Sequence, residues 1–93
     1  MNKQISILVL WLAFAAAALA AGIPLQPVQS SLISRAGYDP GSQTLAVEMA
    51  SNADVYYYKG VPPAIYAGFL AAESKAAFFA SQIKGKYPER LSP

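Results

Sequence analysis

The spacing of apolar positions changes character several times along this chain. Residues 5–20, ISILVLWLAFAAAALA, run without a charge, preceded by a single lysine in MNKQ. Residues 21–29, AGIPLQPVQ, hold two prolines and no period, and read as an extended linker. Alternation then takes over. SSLISRAGY is a strand candidate closed by Asp39-Pro40-Gly41-Ser42, a tight turn by its Pro and Gly. QTLAVEMA sends Leu45, Val47 and Met49 to one face and Thr44, Ala46, Glu48 and Ala50 to the other, as a half-buried strand does. SNAD supplies the next turn, and VYYYKG the third strand. Within it, successive side chains must face opposite ways, so Tyr57 is separated from Tyr56 and Tyr58. Val55 shares the Tyr57 side. An apolar partner there predicts that Tyr57 is buried under the helices and that Tyr56 and Tyr58 stand on the open face.

After Gly60 the period lengthens to that of a helix. Pro62 and Pro63 suit a first turn, where a missing N–H costs little. Ile65 and Phe69, and Tyr66 and Leu70, fall four apart. Ser74 is a good N-cap for a second helix, KAAFFASQIK, which Gly85 closes. Phe79 and Ile83 share its inner face with Phe78 beside them, while Lys84 and Lys86 sit where a helix end favours positive charge. The pattern predicts an α+β fold: a three-stranded antiparallel β-meander followed by two short helices packed on one face, preceded by an N-terminal signal-peptide helix.

The uncharged start bears on destination. A basic beginning, an apolar run and Ala18-Leu19-Ala20 at its end make the three parts of a secretory signal. Cleavage there gives residues 1–20 as signal peptide, 21–29 as linker and 30–91 as the domain, in the periplasm or secreted. The alternative is an uncleaved anchor through residues 5–22, at the short edge of the roughly 17–25 residues a spanning helix needs. Its second half is mostly alanine and no basic cluster stops the transfer, which favours cleavage.

Without residues 1–20, the bases Arg35, Lys59, Lys75, Lys84, Lys86 and Arg90 nearly balance the acids Asp39, Glu48, Asp54, Glu73 and Glu89. So small a domain is marginally stable by itself, and with no cysteine it has no disulfide to help. The sequence also lacks histidine, which removes His-based acid–base chemistry, Ser-His-Asp and Cys-His nucleophiles and N/S zinc sites. Ser74-Lys75 is no catalytic dyad, since helix neighbours do not face each other; a helix cap and a solvated lysine is the better reading. The acids are scattered among turns, one strand and helix ends, without calcium-loop spacing. GxGxxG and P-loop motifs are absent, so neither cofactor nor catalysis is expected.

Four stretches together, SSLISRAGYDP, TLAVEM, VYYYKGVPPAIYAGFLAAESKAAFF and IKGKYP, resemble a family of small domains, the KTSR domain, across residues 30 to 91. The resemblance implies a glycine-containing turn before the tyrosine strand and a glycine after Ser-Lys. This chain has SNAD and Ala76 in those places. It implies as well a domain found alone, in phage-related settings and on larger proteins such as some lysyl-tRNA synthetases, with no established activity and a hint of nucleic acid.

A binding role remains. Tyr56 and Tyr58 with Lys59, and Arg35 across the sheet, would form an aromatic and basic face of the kind that stacks single-stranded bases. The plainer alternative has the helices cover that face and the tyrosines serve as core. Lys75, Lys84, Lys86 and Arg90 gather toward the C-terminal end, which is also how a solvated helix end looks. Near-neutral charge disfavours strong nucleic-acid binding. The preferred function is an exported, non-catalytic module for an unidentified protein or peptide partner, or for self-association, with an exposed sheet edge open to strand addition. The alternative is a single-stranded nucleic-acid-binding domain outside the cytoplasm. A membrane partner enters only if the apolar segment is retained.

Overall fold

Two tight turns, at residues 40–43 and 50–53, set the register of the sheet. In the first, the Asp39 carboxylate accepts the Gly41 N–H at 3.1 Å and the Ser42 hydroxyl at 2.8 Å, and Asp39 pairs with Thr44. In the second, the Met49 N–H donates to the Asp54 carbonyl at 2.8 Å, and Asn52 Oδ1 accepts the Asp54 N–H at 3.0 Å. Each loop ends on a residue in the left-handed region, Gln43 at φ 52° and Ala53 at φ 61°. Alanine is disfavoured there by its Cβ, and this is the turn where the resemblance implies a glycine. Ala53→Gly is therefore expected to stabilise the domain by about 0.5–1 kcal/mol, read as a rise of a few degrees in the melting temperature. An unchanged or lower melting point would mean that the turn is not held in this conformation.

The computed structural model describes residues 22–92. Five strands, β1 (Gln26–Pro27), β2 (Ile33–Asp39), β3 (Thr44–Met49), β4 (Val55–Tyr58) and β5 (Glu89–Arg90), form one antiparallel sheet in that order. Helices α1 (Pro63–Ala71) and α2 (Lys75–Gln82) lie between β4 and β5 in the chain. The α+β class, the meander and the two helices are as expected, but the sheet has five strands rather than three. The added pair are two residues each and flank the meander at both edges. The expected linker is thus partly a strand: Gln26 and Pro27 pair with Ala36 and Arg35. The signal-peptide helix falls on residues outside those described.

Directly paired residues share a face, so the register fixes the core. Leu45 pairs with Tyr58, Val47 with Tyr56 and with Ala36, and Tyr38 with Leu45. A bulge between Ile33 and Arg35 shifts the phase, which lets Ile33 join Ala36 on the inner side. Ile33, Leu45, Val47 and Tyr58 are fully buried there, with Phe69 of α1, Phe79 of α2 and Ile83 just after it packed into the same cluster. Tyr58 meets the Phe79 ring edge-on at 5.4 Å and 79°.

The helices dock through local signals that were legible. Pro62 caps α1 and Pro63 opens it. Ser74 caps α2 by accepting the Ala77 N–H at 3.1 Å, and Gly85 at φ 81° turns the chain away after Ile83. Tyr38 ties the sheet to the start of α1, stacking on Tyr66 at 4.7 Å while its hydroxyl donates to the Val61 carbonyl at 2.5 Å. Of the apolar positions expected on α1, Phe69 is buried and Leu70 is exposed.

Candidate binding face

The helices cover the side of the sheet that carries Tyr56 and Tyr58. The expected assignment of the three tyrosines is therefore reversed. Tyr58 is fully buried, and burial together with the hydrogen bond its hydroxyl donates to Glu89 Oε1 at 2.7 Å pushes its phenol pKa well up. Tyr56 packs against the same cluster. Tyr57, half-buried, belongs to the opposite side, in register with Ala46 of β3 and Arg90 of β5. Val55 misled because one small apolar residue says less about a face than the strand it pairs with.

On the open side the register lays out two adjacent rows. One runs Gly37, Ala46, Tyr57, Arg90, and the other Arg35, Glu48, Val55. The floor under Gly37 and Ala46 carries no side chain larger than a methyl group, so the face has a trough with Tyr57 at its end. That trough is filled. A Cβ placed on residue 37 would overlap the Pro24 carbonyl oxygen and stand 3.0 Å from the Ile23 Cγ2 atom, so residues 23–24 cross directly over the glycine. Gly37 and Ala46 are both buried although they face away from the helices.

Arg35 lies beside this trough but is engaged. Its guanidinium grips Glu48 through two hydrogen bonds, Nε to Oε1 at 2.9 Å and Nη2 to Oε2 at 2.7 Å, and the Ser34 hydroxyl adds a third to Oε1 at 2.8 Å. Chiefly through Arg35 and then Ser34, these contacts hold the Glu48 carboxyl down at about 2. A depressed carboxylate contributes stability above its unfolded value, near 4.3, and the contribution is lost as pH falls through the folded one. Acid titration of the melting temperature is expected to fall between about pH 4.5 and pH 2, and Glu48→Gln to flatten that part of the curve. A carboxyl titration midpoint for Glu48 in the ordinary range by NMR would refute the bidentate geometry.

The remaining expected site residues scatter. Lys59 is exposed just past β4, its backbone N–H donating to the Pro88 carbonyl at 3.1 Å, and so adjoins β5 and Arg90. Lys75 is not simply solvated, since its ammonium donates to the Ala72 carbonyl at 3.2 Å and caps the end of α1. Lys84 and Lys86 are exposed around Gly85, at the end of α2. The proposed face of Arg35, Tyr56, Tyr58 and Lys59 does not exist as one surface, because Arg35 is on one side of the sheet and the two tyrosines on the other. Lys59 and Arg90 fall nearest Tyr57, the tyrosine expected in the core. Among the described residues Arg35–Glu48 is the one salt bridge, and no three Asp or Glu side chains gather as a metal site would need.

A five-stranded antiparallel sheet with two helices on one face and short flanking strands defines a small α+β domain. Its family is that of the KTSC domain, which matches residues 29–87, and the chain belongs to it. KTSC replaces the name KTSR under which the resemblance was read. A crystal structure of a KTSC domain protein from Yersinia pestis superposes with a TM-score of 0.70 at 39% identity, covering 74% of this chain and 96% of that one. A protein of Tsukamurella paurometabola is 43% identical over 63 residues, 68% of this chain and 92% of its own length. One of Stutzerimonas stutzeri is 38% identical over 60 residues, 64% of this chain and 83% of its own.

Proposed function

We propose that this chain is an exported, non-catalytic binding module that engages a protein or peptide through the open face of its sheet. One observation carries the reading: the trough at Gly37 already holds a peptide segment, Ile23–Pro24, against the sheet. A surface with that shape suits a second peptide segment of similar character. Strand addition at the sheet edge loses its appeal, because β1, with its proline, and β5 cover both edges of the meander. Nucleic acid fits less well. Arg35 is neutralised by Glu48, Lys75 serves a helix end, and Tyr56 lies on the helix side with the buried Tyr58. Lys59 and Arg90 beside a single tyrosine offer few phosphate contacts for a binding mode that depends on them.

Two measurements test this. The purified chain is challenged with a displayed library of random peptides and, separately, with a fluorescent oligodeoxythymidine. Peptide capture that resists salt and is lost in Gly37→Ala is expected. Oligonucleotide binding that collapses between about 50 and 200 mM salt, without peptide capture, would replace the reading with the nucleic-acid one. For export, intact-mass measurement should find a soluble chain beginning at Ala21. Met1 retained in the membrane fraction would make it an anchored domain.

A further inference from the structure

The segment over the trough is held to the sheet by few hydrogen bonds, with Val28 packed at the edge of the core. Its pairing with β2 spans only Gln26 and Pro27, Pro27 has no N–H to give, and the Val28 N–H donates to the Ser34 carbonyl at 3.1 Å. Residues 29–31 then turn back sharply into β2, with the Ser30 hydroxyl oxygen accepting the N–H groups of Leu32 at 3.2 Å and Ile33 at 3.3 Å. The KTSC match begins at residue 29, at this turn, so the segment lies outside the part that matches the family. It joins the domain only through the turn at residues 29–31.

We infer that residues 22–28 are exchanged between two copies of this chain, each strap seated in the trough of the other, giving a closed two-fold dimer. The occupant is set by the structure itself. The peptide seen in the trough is this chain's own, and a second copy carries the same one, so complementarity within one chain is complementarity between two. Trading identical elements across a short hinge forms a self-complementary interface at the cost of a few hydrogen bonds. A domain this small, without disulfides, gains stability from such association. The inference rests on the open face being the binding surface.

The chain has no cysteine, so Ser51→Cys on the exposed second loop labels it at one place. Sedimentation over a wide concentration range is expected to show a two-chain mass that dissociates on dilution. Donor- and acceptor-labelled chains should develop energy transfer after mixing. Deleting Gln29 and Ser30 prevents the strap from folding back and should make the dimer persist at concentrations where the parent has separated. Gly37→Ala closes the trough while leaving the core face untouched, and should abolish both the dimer and the transfer. A parent chain with single-chain mass at every concentration overturns the exchange, whether or not the hinge-deleted chain folds. A dimer that survives Gly37→Ala overturns it too, since another surface then holds the copies. Library peptides that bind a strictly monomeric chain would leave the binding-module reading standing while exchange falls. A Gly37-dependent dimer that captures no foreign peptide would keep the exchange and narrow the module to self-association.

Discussion

Phe79→Ala is expected to remove most of the domain's stability, about 3–5 kcal/mol, because the ring is 1% exposed and its removal leaves a cavity in the core. The ring sits where the sheet meets α2, edge-on to Tyr58 and in one cluster with Phe69, Leu45 and Ile83. A core of this size supplies only about 3–5 kcal/mol by itself, so the alanine variant should lose its cooperative thermal transition. Leu45→Ala, from the sheet side of the same contact, should cost about 2–5 kcal/mol, and Phe79→Leu markedly less because it keeps most of the volume. Circular dichroism melts and urea titrations read all three. A native transition in Phe79→Ala would show that α2 presents its other face to the sheet.

The second large effect separates adjacent residues. Tyr58→Ala should cost about 3–5 kcal/mol, comparable to removal of a buried phenylalanine, and it strips Glu89 of its partner. Tyr57→Ala should cost about 1 kcal/mol or less, as on an open strand face, while weakening whatever occupies the trough. Tyr58→Phe isolates the hydroxyl: its hydrogen bond to a carboxylate contributes about 1.5–3 kcal/mol and fastens β5 to the core. Hydrogen exchange at Glu89 and Arg90 should accelerate in that variant before the rest of the sheet responds. Equal losses for Tyr57→Ala and Tyr58→Ala would contradict the strand's orientation.

The orientation of those tyrosines was within reach of the sequence. A four-residue turn after the second strand of the expected meander, in either frame that SNAD allows, pairs odd-numbered residues of β3 with even-numbered residues of β4. Leu45 and Val47, recognised as the inner face by their alternation, therefore bring Tyr58 and Tyr56 with them. Val55 beside Tyr57 is the weaker cue, because it is a single small apolar residue on a face whose β3 partners are Ala46 and Glu48. The same parity argument places Arg35 with Glu48 and away from Tyr56 and Tyr58, which dissolves the basic and aromatic face.

What the sequence determined by itself is whatever a residue imposes on its close neighbours. The alternation of Leu45, Val47 and Met49, the prolines opening α1, the Ser74 cap, the glycine that ends α2 and the missing histidine and cysteine all act within a few residues or by composition. They were sufficient for the α+β class, the meander with two helices and the exclusion of His- and Cys-based chemistry. Only the tertiary structure decided the rest. A two-residue strand has no period, so β1 and β5 exist through hydrogen bonds to strands already in place. Lys75 becomes a cap because α1 ends within its reach, and Glu48 is held ionised by an arginine thirteen residues away in the chain. The trough arises because register sets Gly37 beside Ala46, and residues 23–24 return to cover Gly37. Contacts between residues distant in sequence depend on the full register and on docking, of which loop length gives only the parity.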